Sequence, residues 1–425
     1  MIPRDAPLNL PVGALRPWAL VLLIACAAVS IAIPRVATSG RRSRPTATWA
    51  RTGRTTAPMI AILLTALALR AGLSLVQDGG LYDIFDAYRI VGAQLRNGGD
   101  VFVEPALGLS NYPPAIYWWW ALASSVPSDH PHLYSALVRL PFWVADAAVA
   151  PFLVMLLRHQ GAEARTAVAA GVLYAINPVA MAVPALHGQF DPLVVLPLVG
   201  GIALIRRRPG VAGVMAGAAT AIKPWPVFFI VPLLALMMPR QWPRFIAGLI
   251  AAPAATFALY GLIHPEHLIG GLYRVATYVA HRQGLGTSLL FRDGVPTWVV
   301  TTANLLAGAA SSTAGLVAAR RGRSPAETMA VAMLVLLTLS PTVSDQYLMW
   351  PIPFLLMAGR LRMVAFLSAG LLPAVAGLNL WTSQNAGATR PALLLLGTAA
   401  MAAASLVLIS SRGNTDTAAL SATPA

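Results

Sequence analysis

The sequence predicts an all-α fold, a polytopic membrane bundle of about 11–13 transmembrane helices. Three observations carry this. Of 425 residues, 57% are hydrophobic and 11% charged, with mean hydropathy +0.68, outside the range of soluble globular chains. Apolar runs alternate with polar segments along the whole length. The arginines gather in alternate segments: Arg35 to Arg54, Arg158 and Arg165, Arg206 to Arg208, Arg240 and Arg244, Arg320 to Arg323, Arg360 and Arg362, and Arg412. Cytoplasmic loops have this pattern under the positive-inside rule. The same pattern accounts for the net charge of +15 and argues against a nucleic-acid partner. Cys26 is the only cysteine, so no intrachain disulfide forms.

Taken in order, the run 17–34 lacks a small-residue cleavage site and is expected to be a retained helix. The basic segment 35–54 is assigned to the cytoplasm. Residues 58–77 cross outward, placing 78–133 outside, and 134–157 cross back to Arg158. The runs 166–186, 192–205, 211–222, 227–239, 245–263, 295–318, 326–341, 346–359, 363–380 and 391–410 continue the alternation, and each inward crossing ends at arginine. Several are shorter than the roughly 20 residues of a normal span and are expected to be tilted or broken at proline. The aromatic segment 112–127 is expected to lie on the outer interface, because a span there would invert every later loop. The organisation expected is 1–57, an extra helix with a basic cytoplasmic segment; 58–410, the transmembrane domain with its first external loop at 78–133; and 411–425, a disordered cytoplasmic tail.

This topology puts ten of the 15 acidic residues outside, at helix ends beside Gly, Pro and aromatics. Five of them, Asp78, Asp83, Asp86, Asp100 and Glu104, lie in the first external loop. Arg70, Arg139 and Asp146 fall within spans, where charge is costly and usually paired. Arg139 and Asp146, seven apart on one helical face, are read as part of a structural Arg–Asp pairing.

Five polar motifs stand at the external helix ends. LYDIFDAYR (81–89) offers Asp83 and Asp86, and a positioned carboxylate can take the proton of an attacking hydroxyl. The alternative is a helix N-cap by Asp83. Asp78, Asp100 and Glu104 are expected to be solvated loop charges. HGQFDP (187–192), with His187, Gln189 and Asp191, opens a helix whose exposed N–H groups suit a phosphate or sugar. KPWP (223–226) carries Lys223, the only lysine among 30 basic residues, placed where a compact ammonium could hold a phosphate. SPTVSDQYLMW (340–350) places Asp345, Gln346 and Tyr347 at a helix start, and Tyr112 begins the YPP of 112–114. HPEH (264–267) and DHPH (129–132) lack matched ligand spacing, so no metal and no other cofactor is expected. Nucleotide-type glycine loops are absent as well.

These motifs together resemble the GT-C glycosyltransferases, polytopic enzymes that take sugars from polyprenyl-phosphate carriers. An acidic first external loop followed by YPP matches the family layout. INPVAMAV with HGQFD, and then KPWPVFFIVP, are similar to GPI mannosyltransferase I and its bacterial relatives, and DQYLMWPIPF is similar to their SQYFLWY-type segment. The layout is also similar to actinobacterial polyprenyl-phosphomannose-dependent mannosyltransferases and to the asparagine-linked-glycosylation glucosyltransferases. The resemblance covers about residues 58–360. Two departures stand out: the late helix begins Val343-Ser344-Asp345-Gln346 without the glucosyltransferases' histidine, and Asp83 and Asp86 do not form the strict Asp-x-Asp of GPI mannosyltransferase I.

The resemblance implies a membrane-embedded hexosyltransferase, with mannose the expected sugar and a glycolipid or cell-envelope glycan the acceptor. It implies a bacterial plasma membrane and a site on the external face, with Asp83 or Asp86 as the base. Lys223, His187 and Arg282 would lie at the donor phosphate, with Gln189 and Asp191 beside them. Tyr112, Asp345, Gln346 and Tyr347 would line the acceptor or donor pocket. A phosphate leaving group needs positive charge rather than a general acid, so one carboxylate suffices for inversion. A transporter or lipid flippase is the rival class. It would show two related halves and charges near mid-bilayer, and the sequence displays no such symmetry.

Overall fold

The computed structural model describes residues 12–38, 56–75, 83–103, 106, 108–277, 295–379 and 389–411. Asp78, Glu104 and Arg282 lie outside the described residues, as do 412–425 of the expected C-terminal tail and the side chain of Asp345. The molecule is an all-helical bundle, with no β-strand among the described residues.

Among the described residues, four helices are long and apolar enough to cross a membrane: Thr56–Ser74, Pro131–His159, Ala164–His187 and Pro239–Gly261. Shorter apolar helices fill out the bundle, among them Asp191–Leu204, Pro209–Ile222, Trp225–Ala235, Pro325–Leu339 and Leu361–Val375. The expected extra N-terminal helix runs over Val12–Thr38 and packs on Leu361–Asn379. The aromatic segment 112–127 contains a helix of only nine residues, Ala115–Ala123, about 14 Å long and too short to span.

Glycine sets one close helix pair. Pro209–Ile222 and Trp242–Gly261 approach through Gly213 and Gly217 on one and Gly248 on the other. A Cβ on Gly217 would sit 2.6 Å from the Leu249 carbonyl oxygen, and one on Gly248 2.6 Å from that of Gly210. Small residues at a four-residue interval let two backbones touch where apolar surface burial gives no advantage over lipid.

The charges placed within spans are paired differently from the sequence expectation. Asp146 accepts from Arg70 Nε at 2.5 Å and from the Tyr174 hydroxyl at 2.6 Å, all three buried. Arg70 also donates to the carbonyls of Ala175 and Ala66. Arg139 takes no part. Seven residues do put Arg139 and Asp146 on one face, but a partner on the neighbouring helix supplies the salt bridge.

Three of the arginine-bearing segments, around 321–327, 360 and 409–411, meet at one end of the bundle. Arg360 donates to Glu327 through Nε at 2.8 Å and through Nη2, and Arg321 donates to the carbonyl of Ile409. At the other end, Gln189 reaches Asp83, and Lys223 reaches Asp191 and Gln346. Two apolar cores support this arrangement. One is the bundle interior, and the other is an aromatic cluster of Tyr88, Tyr117, Trp120, Phe190 and Tyr260 beneath the segment 83–126.

Candidate active site

The site is organised by a broken helix. Ala164–Ala175 ends before Asn177, whose side chain accepts from the N–H groups of Val179 and Ala180 and donates to Ser368 at 2.6 Å. This Asn-Pro restart caps the short helix Pro178–Ala182, which passes into the π-helical turn Val183–His187. Gly188 ends it at φ +73°, in the left-handed region glycine tolerates. A side chain there would also strike Ile84. The chain then presents Gln189, Phe190 and Asp191 in succession before Pro192 continues the helix Asp191–Leu204.

Gln189 and Asp191 hold the two halves of the site. Gln189 Nε2 donates to Asp83 Oδ2. Asp83 is half-buried and begins a second π-helical turn, Asp83–Tyr88, a geometry often found at functional sites. Asp86 lies on the same turn, half-buried. The side chain of Asp83 is therefore committed to a tertiary partner rather than to a cap.

Asp191 accepts from Lys223 Nζ at 2.6 Å through Oδ2 and from Trp350 Nε1 at 2.8 Å through Oδ1. Lys223 is extended because Pro224 follows it, which turns it out of the end of Pro209–Ile222. Its ammonium also reaches Gln346 Oε1 at 3.3 Å. Three rings surround it: Phe190 at 4.5 Å, Tyr112 at 5.5 Å and Tyr347 at 5.6 Å. Such faces favour a desolvated cation. Trp225 stacks on Trp350 at 3.7 Å, and the backbone of Tyr112 is pinned at both N–H and carbonyl by the Tyr117 hydroxyl.

Seven of the expected residues are thus joined: Asp83, Gln189, Asp191, Lys223, Tyr112, Gln346 and Tyr347. His187 is half-buried on the same turn, one residue before Gly188. Arg282 and the Asp345 side chain are outside the described residues.

Two further side chains belong here that the sequence reading did not assign. Arg139 is buried, donates Nη1 to the Ala185 carbonyl at 3.0 Å, and has no hydrogen-bond partner for Nε or Nη2 among the described residues. It lies against the Gly188 turn. A buried guanidinium with two unused donors is costly unless an anion meets it. Tyr88 stacks on Trp120 at 4.1 Å and carries a buried hydroxyl likewise without a partner. Burial, followed by the charge of Asp83, pushes this phenol well above its usual range, so it remains a hydrogen-bond donor at neutral pH. The signal for Arg139 was present in the sequence as an arginine inside an apolar span; the seven-residue spacing to Asp146 misdirected it.

Residues 111–344, more than half the chain, match the model of glycosyltransferase family 87. The chain belongs to glycosyltransferase family 87. It is therefore a membrane glycosyltransferase, with a sugar donor and an acceptor as its substrates, and the choice between enzyme and transporter falls to the enzyme. The matched stretch of this family 87 member holds Tyr112, the Gln189–Asp191 turn and Lys223; Asp83 and Asp86 precede it, and Gln346 follows it. No curated protein and no solved structure matches the chain. Metal-ligand residues do not cluster at the Asp83–Lys223 site among the described residues; the group that could hold an ion is Asp100, His264 and Glu266.

Proposed function

We propose that this chain transfers a hexose, mannose in particular, from a polyprenyl-phosphate carrier to a hydroxyl of a lipid-linked or cell-envelope glycan. The site works at the external face of a bacterial plasma membrane, and the anomeric centre inverts. The observation that carries the proposal is the turn 187–191, in which Gln189 holds the Asp83 carboxylate and Asp191, two residues later, holds the Lys223 ammonium.

The chemistry follows from that placement. Asp83 takes the proton of the acceptor hydroxyl as it attacks the anomeric carbon, with Gln189 fixing the carboxylate through Oδ2. The bond from the anomeric carbon to the phosphate oxygen breaks on the opposite face, and the carrier leaves as polyprenyl phosphate. Its charge is met by cations rather than by a proton donor. Arg139 is the best-placed of these, since Lys223 is already paired with Asp191. Lys223 and His187 hold the phosphate from the other side, with Arg282 as a further ligand. Tyr112, Gln346 and Tyr347 border the sugar. The donor's lipid tail stays in the bilayer throughout.

The test is transfer by the purified full chain in liposomes, offered polyprenyl-phosphomannose or GDP-mannose with a membrane glycolipid extract. Labelled product from the lipid-linked donor alone supports the reading. Product from the nucleotide sugar alone contradicts it, and product from a different polyprenyl-phosphohexose would correct the sugar.

A further inference from the structure

Outside this site, the segment Asn97–Val103 folds against the turn that follows Trp242–Gly261. Asp100 is buried there rather than solvated. Its Oδ1 accepts from the N–H of Phe102 at 2.7 Å and from the Tyr260 hydroxyl, which also receives the N–H of Val101 at 2.9 Å. Those contacts aim Oδ2 inward, where it has no hydrogen-bond partner among the described residues. His264 is 5% exposed, tilted against the Tyr260 ring at 5.1 Å, and its Nε2 is likewise without a partner. Glu266, exposed, completes a group whose ligand atoms all lie within 4.8 Å of one another.

Two carboxylates this close repel one another unless a cation sits between them. No Lys or Arg forms an ion pair with either among the described residues; His267 Nε2 stands 3.9 Å from Asp100 Oδ2. We propose that Asp100, His264 and Glu266 bind a divalent metal ion of the zinc or manganese class. One imidazole and two carboxylates suit such ions. Tyr260 and Phe102 serve as the outer groups that orient the Asp100 carboxylate. The ion ties the first acidic loop to the start of the amphipathic helix Leu268–Thr277, whose Arg274 donates to the Ser110 carbonyl at 3.0 Å. Its role is to hold the loop in place, and it takes no part in sugar transfer.

The test is zinc stoichiometry on the full chain in detergent, with its affinity tag removed, stripped with EDTA and re-equilibrated with ZnCl2; MnCl2 is run in parallel. One bound ion per chain is expected, together with a rise in Tm on adding metal. Glu266→Gln should weaken binding about tenfold or more, and His264→Ala should abolish it. Because Glu266 is exposed, its replacement keeps the test decisive if His264→Ala fails to fold. His130→Ala, in the exposed DHPH segment, should leave binding unchanged. Absence of saturable binding by either metal, or binding that Glu266→Gln does not weaken, overturns the proposal.

Discussion

Lys223 and Asp191 form a closed ion pair: Nζ lies 2.6 Å from Oδ2, and both side chains are almost wholly buried. Removing one partner strands a buried charge, at a cost of about 3–5 kcal/mol, whereas removing both is far milder. Lys223→Met should therefore lower Tm sharply. The double variant Lys223→Met with Asp191→Leu should recover most of that loss without recovering sugar transfer. Thermal unfolding and transfer rates measured on the same preparations separate the two effects.

Arg139 is the buried cation whose Nε and Nη2 are left unpartnered. If these donors hold the donor phosphate, Arg139→Gln should reduce kcat/KM for the lipid-linked donor by roughly 10²–10³, the usual effect of removing one preorganised donor. Arg139→Lys keeps the charge but loses the planar fork, and its activity should fall between the two. Initial rates against donor concentration provide the check.

Much of this site was legible because polar side chains are scarce in so apolar a chain. Asp83, Gln189, Asp191, Lys223 and Gln346 stood out at helix ends, and the arginine pattern placed their loops on one side. What was not legible depended on contacts between distant segments. Spacing along one helix linked Arg139 to Asp146, but Asp146 is satisfied by Arg70 from another helix and by Tyr174. Asp100 reads as a solvated loop charge, whereas the fold buries it against Tyr260, 160 residues later. HPEH has no ligand spacing of its own, and the carboxylate that stands near His264 and Glu266, Asp100, comes from that same distant loop.

The close helix pair makes a separate prediction about folding. Gly213→Val places a branched side chain against the Phe245 backbone, where neither helix can give way without separating. Overpacking of this kind typically costs about 1–3 kcal/mol or more. Gly270→Ala, at a position open to space, should be neutral. Folded yield and Tm in detergent distinguish them.

The most direct measurement of the central claim is transfer from polyprenyl-phosphomannose by Asp83→Asn beside Asp86→Asn, at saturating donor and with donor binding measured separately. Loss of a positioned base predicts a fall in kcat of roughly 10²–10⁴ for Asp83→Asn, with donor affinity retained and Asp86→Asn much less affected. Near-normal turnover by Asp83→Asn, alone or combined with Asp86→Asn, would contradict the account.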